Sequence, residues 1–237
     1  MNAHELDSLE AFSRRNLDLL LKLSDSYSYN SLTLCVLDSI YSIGIRYATV
    51  LKVIESYCQY YKVTKHRETI GRFPEIISQE SIDMLIDKIK AIGHERFAYE
   101  ILKNRNRTSA KNGILKSEAV LNVCEVLSKH HIQYLQDVES INNIPEFEHD
   151  FKAIQGQGSG ISLSYLLMLS GDDELIKPDR MILRYINHAI HLQPNTQEAT
   201  QIIIELAKRV NLTPRTLDHI IWQWMQNNRP LDANTGF

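Results

Sequence analysis

Nowhere in this 237-residue chain do apolar and polar side chains alternate over a run long enough to make a useful β-strand. Apolar residues instead return every three or four positions, the period of a helix that buries one face. Residues 5–24 set the pattern, with Leu6, Leu9, Phe12, Leu17, Leu20 and Leu21 among charged neighbours. The same spacing predicts helices over 31–42, 46–61, 78–90, 94–103, 114–130, 134–141, 145–153, 161–169, 178–191, 196–210 and 214–227. Ser31 and Ser78 stand where N-caps belong, Gly44 permits a turn, and Thr213 with Pro214 takes the N-cap and first helical positions of the last segment. Nine Gly and six Pro are too few for a loop-rich β protein. The expected fold class is all-α, a single two-lobed helical domain over 1–237. The break at Asn142, Asn143 and Pro145 suggests the junction between lobes. The tail from Pro230 is expected to fray.

Composition narrows the function. Lys and Arg number 26 against 29 Asp and Glu, a formal charge of -3, which argues against a uniformly basic protein that coats nucleic acid. A local basic face remains compatible with it. Cys35, Cys58 and Cys124 lie far apart with no CxxC, arguing against an iron–sulfur cluster or a Cys-rich zinc site. An odd cysteine count behind a charged N-terminus points to the reducing cytoplasm. No apolar run approaches the ~20 residues of a membrane span. His130 and His131 project about 100° apart on a helix. His188 and His191 share a face but lack a carboxylate at ligand spacing, so no side-chain metal site is expected.

Three local patterns carry chemistry. Gly156-Gln157-Gly158-Ser159-Gly160 separates two helical segments. Alternating glycines allow positive φ and close backbone approach, and the helix that follows starts with unpaired N–H groups able to hold an anion. The motif lacks the Lys-Ser/Thr ending of a P-loop and follows a helix rather than a strand, which argues against a dinucleotide fold. A glycine-lined turn between packed helices is the plainer reading. Next, Asp179 follows Lys177-Pro178 at a helix start. There a carboxylate caps and complements the helix dipole, or serves a reactive centre. Finally, residues 103–117 hold Lys103, Arg105, Arg107, Lys111 and Lys116 without an acid, interleaved with Asn104, Asn106, Thr108, Ser109 and Asn112. They read as a face for backbone phosphates, or as a solvated basic loop. Asp137, Glu139, Glu146, Glu148 and Asp150 cluster further on, so the mild mean charge hides segregation.

Tyr41, Tyr47, Tyr57, Tyr60, Tyr61, Trp222 and Trp224 are candidates for stacking on a base, although helical spacing assigns most of them to packing. Tyr41, just ahead of the Gly44 turn, is the preferred one. Asp38 is a second pocket acid or a polar-face residue. Asp218, four residues before Trp222, faces a helix junction or a pocket.

Together, the hairpin and the acid resemble the helix-hairpin-helix (HhH-GPD) DNA glycosylase superfamily. Its hairpin has the form L-P-G-V-G, and a catalytic Asp follows at the start of the next helix. Ile154, Gly156 and Gly158 match the hairpin positions and Asp179 the catalytic carboxylate. Residues 34–57 look like the family's early helix–turn–helix, where a wedge residue enters the DNA stack; Tyr41 or Ser42 falls in that place. Residues 101–123 and 212–225 are similar to a less familiar branch, so the resemblance spans about residues 30–225. Gly160 stands where bifunctional members carry their Schiff-base lysine, and the cluster cysteines are absent. The resemblance implies a monofunctional, monomeric DNA glycosylase acting on double-stranded DNA with a damaged or modified base. Its setting would be repair or defence against modified phage DNA. Gly156, Gly158, Ser159, Gly160, Arg105, Arg107 and Lys111 would hold DNA. No cofactor is implied beyond a structural K+ or Na+ on the backbone carbonyls of Ile154 and Gly156. A non-catalytic helix-hairpin-helix DNA-binding protein is the alternative, and a helical interaction scaffold the third.

Overall fold

The computed structural model describes residues 3–21, 28–68 and 72–228. Among these the expected all-α class is found, and extended pairing is confined to two isolated bridges, Tyr29 with His66 and Arg107 with Leu115. The helices are α1 (Ala3–Asn16), α2 (Leu32–Tyr41), α3 (Tyr47–Tyr61), α4 (Ile82–Ile92) and α5 (His94–Arg96), which runs on into a π-helical turn over Phe97–Ile101. Then come α6 (Lys116–Lys129), a 3-10 run over Leu135–Asn143, α7 (Pro145–Ala153), α8 (Ile161–Ser170), α9 (Arg180–Ile190), α10 (Thr196–Val210) and α11 (Pro214–Asn227). No helix among the described residues is long and apolar enough to cross a membrane. The tail from Pro230, expected to fray, lies outside the described residues.

The chain divides into two compact units, Ser24–Gly171 and Met1–Leu23 with Asp172–Phe237. The division falls at 171/172, not near 142 where the helical pattern breaks. The cause is packing: Phe147 and Phe151 of α7 are buried, and α8, buried along most of its length, lies on α2.

The unit of residues 24–171 is organised around α2. Its sequence, LTLCVLDSIY, is apolar on nearly every side, and all ten residues are buried. A helix that is hydrophobic all round has to be enclosed, and α3, α4, α6 and α8 enclose it. Most of its polar side chains are paired, as burial demands, the Tyr41 hydroxyl being the exception. Asp38 accepts from the Tyr29 hydroxyl and from the Ser42 hydroxyl, each at 2.7 Å. The Thr33 hydroxyl donates to Glu80 at 2.8 Å, and Glu80 also accepts from Tyr57 and Lys88. Lys116 closes the C-terminal end. Its buried ammonium donates to the carbonyls of Tyr41 at 2.9 Å and Ile43 at 2.6 Å, where helix carbonyls lack intrahelical partners and a cation suits the dipole.

The other unit packs α1, α9, α10 and α11 around Leu9, Ile182, Tyr185, Ile186, Ile203, Leu206, Leu217 and Ile221. The Ser13 and Tyr185 hydroxyls share a 2.6 Å hydrogen bond, and Arg209 of α10 pairs with Asp7 and Glu10 of α1. Trp224 packs edge-on against Phe12 and Tyr185, so it is a core residue here.

Several boundaries differ from the sequence reading. α1, expected over 5–24, ends at Asn16, and residues 17–21 beyond it are not helical. α4 begins after Ser81, whose hydroxyl accepts from the Met84 N–H, while Ser78 closes a separate 3-10 turn. α6 begins at Lys116, because Ile114 and Leu115 pair with Thr108 and Arg107. Residues 134–141 form part of a 3-10 run whose start is tied down by the Asp137 carboxylate on the Gln133 and Tyr134 N–H groups.

Replacing Lys116 by Met keeps volume but strips both carbonyls of their donor. Urea unfolding should show a stability loss of about 2 kcal/mol, the cost of leaving buried carbonyls unsatisfied.

Candidate functional site

Within residues 145–170, α7 and α8 are joined by the glycine-containing turn. α7 ends at Ala153, and two consecutive tight turns carry the chain into α8: the Gln157 N–H reaches the Ile154 carbonyl at 2.9 Å, and the Gly160 N–H reaches the Gln157 carbonyl at 3.0 Å. Gly156 and Gly160 adopt φ of +89° and +72°, the left-handed region that disfavours side chains. Gly158 differs from them. Its backbone is not left-handed, and an added Cβ would meet only the Lys152 carbonyl, at 3.8 Å. Neither strain nor crowding within the protein demands glycine there. Gly158 and Ser159 are exposed, Gly160 is buried, and the first N–H groups of α8 beyond them have no intrahelical partner. Buried Gln157 holds the turn from inside, accepting from the Ser162 hydroxyl.

The basic loop docks on this hairpin. A Cβ on Gly156 would lie 2.5 Å from the Cβ of Thr108, so glycine is required for space as well as for φ. The Gln155 side-chain amide donates to the Asn112 carbonyl. Within the loop, the Arg107 guanidinium donates to the Gly113 carbonyl at 2.7 Å, and the Ser109 hydroxyl to the Lys111 carbonyl at 2.6 Å. Lys103, Arg105, Arg107 and Lys111 are exposed. Lys116 is not, which corrects its assignment to the basic face: its charge is spent on the end of α2. Because Lys116 also holds the Ile43 carbonyl, the α2–α3 turn joins the loop and hairpin, bringing exposed Gly44 and Arg46.

The residues singled out for wedge and pocket are elsewhere. Tyr41 and Asp38 are enclosed in the core around α2, and Ser42 is buried with its hydroxyl on Asp38. A wedge must project, and the enclosure of α2 by α3, α4, α6 and α8 draws Tyr41 inward instead. Asp38 serves as the acceptor that satisfies two buried hydroxyls, so the wedge and pocket-acid readings are replaced by structural ones. Of the acidic cluster, Asp137 caps the 3-10 run, and Asp150 holds Lys129 and His130 at 2.6 and 2.7 Å.

Asp179 lies in the other unit. It is the N-cap of α9, where its carboxylate accepts from the Met181 N–H at 2.7 Å. Pro178 precedes the cap rather than opening the helix. The Asp179 side chain remains 30% exposed, 4.0 Å from the Lys177 ammonium. The Asp179 N–H closes back on the Lys177 carbonyl at 2.6 Å. Asp218 of α11 completes the group. It is buried, and burial followed by the nearby Asp179 charge pushes it well above the usual carboxylate range. The Lys177 charge and N–H oppose that shift without overcoming it. Next to it, burial and the Arg215 charge push His219 down to about 4. The sequence signal for Asp218 was an acid set among Leu217, Ile220 and Ile221 on the buried face of an apolar helix.

Among the described residues no cluster of three or more His, Cys, Asp or Glu could hold a metal ion. The hairpin offers neutral carbonyl oxygens instead, of the kind hard cations take. The Ile154 carbonyl keeps a second lone pair beyond the one given to Gln157. A family model described as Domain of unknown function (DUF8548) matches residues 7–226. No curated protein and no solved structure gives a match.

The raised Asp218 carboxyl has a stability consequence of definite sign. The unfolded chain sheds this proton near pH 4, whereas the folded chain keeps it. Stability therefore falls as pH rises above about 4 towards the folded value. Asp218→Asn removes that slope. Its melting temperature should exceed that of the parent chain at neutral pH, by a margin that shrinks towards pH 4.

Proposed function

We propose that this chain, which belongs to the DUF8548 family, is a monofunctional DNA glycosylase that excises a damaged or modified base from double-stranded DNA. The observation that carries this reading is the hairpin itself: left-handed Gly156 and Gly160 flank Gly158, which the protein's own packing does not require, beside a loop of exposed cations. A backbone that must come close to a phosphate explains glycine at such a place.

In this reading the unit of residues 24–171 grips the duplex. The N–H groups of Gly158 and Ser159, those of the first turn of α8 after Gly160, and the side chains of Arg105, Arg107 and Lys111 take phosphates, which fix register without reading sequence. The carbonyls of Ile154 and Gly156 would hold a K+ or Na+, whose charge adds to that phosphate grip. Arg46 and Gly44, rather than Tyr41, stand at the turn that would approach the base stack. Asp179 supplies the chemistry. As the N-glycosidic bond breaks, positive charge develops on the sugar, and a fixed carboxylate stabilises it. The same carboxylate orients the attacking water. The target base must leave the stack to be reached. Repair and defence against modified foreign DNA are both served by this chemistry.

One observation favours the non-catalytic alternative: the Asp179 carboxylate already has a structural task as the cap of α9. The two readings separate experimentally. A panel of duplexes carrying uracil, alkylated purines, oxidised purines or hydroxymethylated pyrimidines should yield free base and abasic sites from at least one member. Asp179→Asn should lower that rate by about a hundredfold or more, as expected for a transition-state charge partner, while leaving DNA binding intact. Binding without base release from any member selects the alternative, and absence of binding at low salt removes both. Borohydride should trap no covalent adduct, since residue 160 is Gly.

The basic loop has its own test. Neutralising Arg105, Arg107 and Lys111 together should weaken duplex binding and flatten the dependence of log affinity on log salt by about 2 to 3 units of slope.

A further inference from the structure

We propose that the cleft between α3 and residues 102–104 is a second seat for the DNA backbone, with a phosphate between Lys52 and Lys103 and the adjoining deoxyribose over Val53 and Leu102. This seat rests on the DNA reading of the neighbouring loop and hairpin, and extends the grip beyond them.

The cleft has a volume of about 310 Å³. Thr49, Lys52, Val53 and Ser56 line one wall, at spacings of three, four and seven residues that place them on one face of α3. Leu102, Lys103 and Asn104 line the other, where the π-helical turn ends. Val53 and Leu102, each 1% exposed, give an apolar floor. Lys103 is left-handed, with φ of +51°, as the Asn104 N–H closes back on the Ala98 carbonyl at 2.9 Å. The Asn104 Oδ1 accepts from the Asn106 N–H at 2.9 Å, which leaves its NH2 group as a donor at the cleft.

The charges of the cleft are not spent within the protein. Lys52 and Lys103 are exposed, and among the described residues no ion pair holds either ammonium. Glu55 also lines the cleft, but it is engaged: Lys65 stands 3.6 Å from its carboxylate, and the Gln59 amide donates to it at 3.1 Å. Glu100, close enough to feel the Lys103 charge, is held by Arg96 through bonds of 2.9 and 3.1 Å. The Thr49 and Ser56 hydroxyls have no hydrogen-bond partner among the described residues. Two cations, two hydroxyls and an amide NH2 around an apolar floor match a sugar–phosphate unit, anionic on one side and hydrocarbon on the other.

Its place in the chain favours a nucleic-acid backbone over a free anion. Lys103 and Asn104 lead directly into Arg105 and Arg107, and Thr108 lies against Gly156 of the hairpin. The five steps from Lys103 to Thr108 reach about 17 Å at most. One strand of a duplex offers a phosphate about every 3.4 Å of helix axis. A single stretch of backbone can therefore meet the cleft, the loop and the hairpin in turn.

The test measures binding of a short labelled duplex by fluorescence anisotropy across a salt series. Lys52→Gln combined with Lys103→Gln should weaken binding about tenfold or more, and flatten the slope of log affinity against log salt by about 2 units. The control combines Lys90→Gln with Lys208→Gln, two exposed lysines already paired with Glu125 and Glu205. It should stay within about twofold of the parent, as expected of charges outside the contact. Ser56→Tyr fills the cleft without changing charge and should weaken binding about fivefold or more. Thr49→Leu replaces it should thermal melting show a fold defect. An unchanged slope in the double lysine variant, an equal loss in the control, or parent affinity in the filled variant each overturns the proposal. The DNA reading is judged separately, by the parent chain and by the variant neutralised at Arg105, Arg107 and Lys111. A parent that binds no duplex at low salt removes that reading and the seat together. Loss of affinity on neutralising the loop but not the cleft removes the seat alone.

Discussion

Three separate loops of residues 24–171 take their positions from one buried ammonium. Lys116 sits where α2 ends, and its two carbonyl partners belong to the last residue of that helix and to the turn after it. Its own backbone starts α6 and, through its N–H on the Asn106 carbonyl, closes the basic loop. That loop then seats Gly156 against Thr108 and receives Gln155 on Asn112. A cation in an apolar interior is stable only with a full set of partners, so the arrangement is stringent. Moving the α2–α3 turn or the start of α6 would separate the ammonium from its carbonyl partners. The surface proposed to meet DNA is in this sense built from the inside outwards.

The same economy of buried polar groups shapes α2. An all-apolar helix would be held by packing alone, and neighbouring registers would be nearly equivalent. Asp38, Thr33 and the Glu80 network distinguish them, since each pairing holds in one register only. Specificity of this type costs stability in principle, and the pairing of Asp38, Thr33 and Glu80 offsets that cost here.

What the sequence made legible follows the range of the forces involved. Helical periodicity and capping are local, so Thr213 with Pro214, the Gly44 turn and the α7–α8 hairpin could be read directly. The placement of Asp179 at a helix start was equally local, though it proved to be the cap itself. Errors arose where tertiary pairing decides. Lys116 reads as one more cation in a basic run, because nothing within ten residues reveals that it is buried under α2. Tyr41 reads as a loop-edge aromatic, because the enclosure of α2 on all sides depends on α3, α4, α6 and α8 together. Asp218 was visible as an acid on an apolar face, but the Asp179 charge that adds to its shift lies about forty residues upstream, beyond any periodic signal. Gly158 is the reverse case: the sequence gives three alternating glycines as equals, and only the backbone angles separate two structural ones from one that packing leaves unexplained.

The composition of the second unit bears on how the chain comes to be made. α1 precedes the unit of residues 24–171 in the chain, yet its partners α9 and α10 follow it, and the Ser13–Tyr185 hydrogen bond spans 172 residues of sequence. The unit of residues 24–171 is continuous and can condense while synthesis proceeds. α1 cannot, because the surface that buries Leu9 and packs Phe12 does not yet exist. For most of the time on the ribosome its apolar stripe must wait in solvent or on a chaperone. The charges that separate its apolar residues, and later form the Arg209 bridges to Asp7 and Glu10, keep that waiting segment hydrated until its partners arrive.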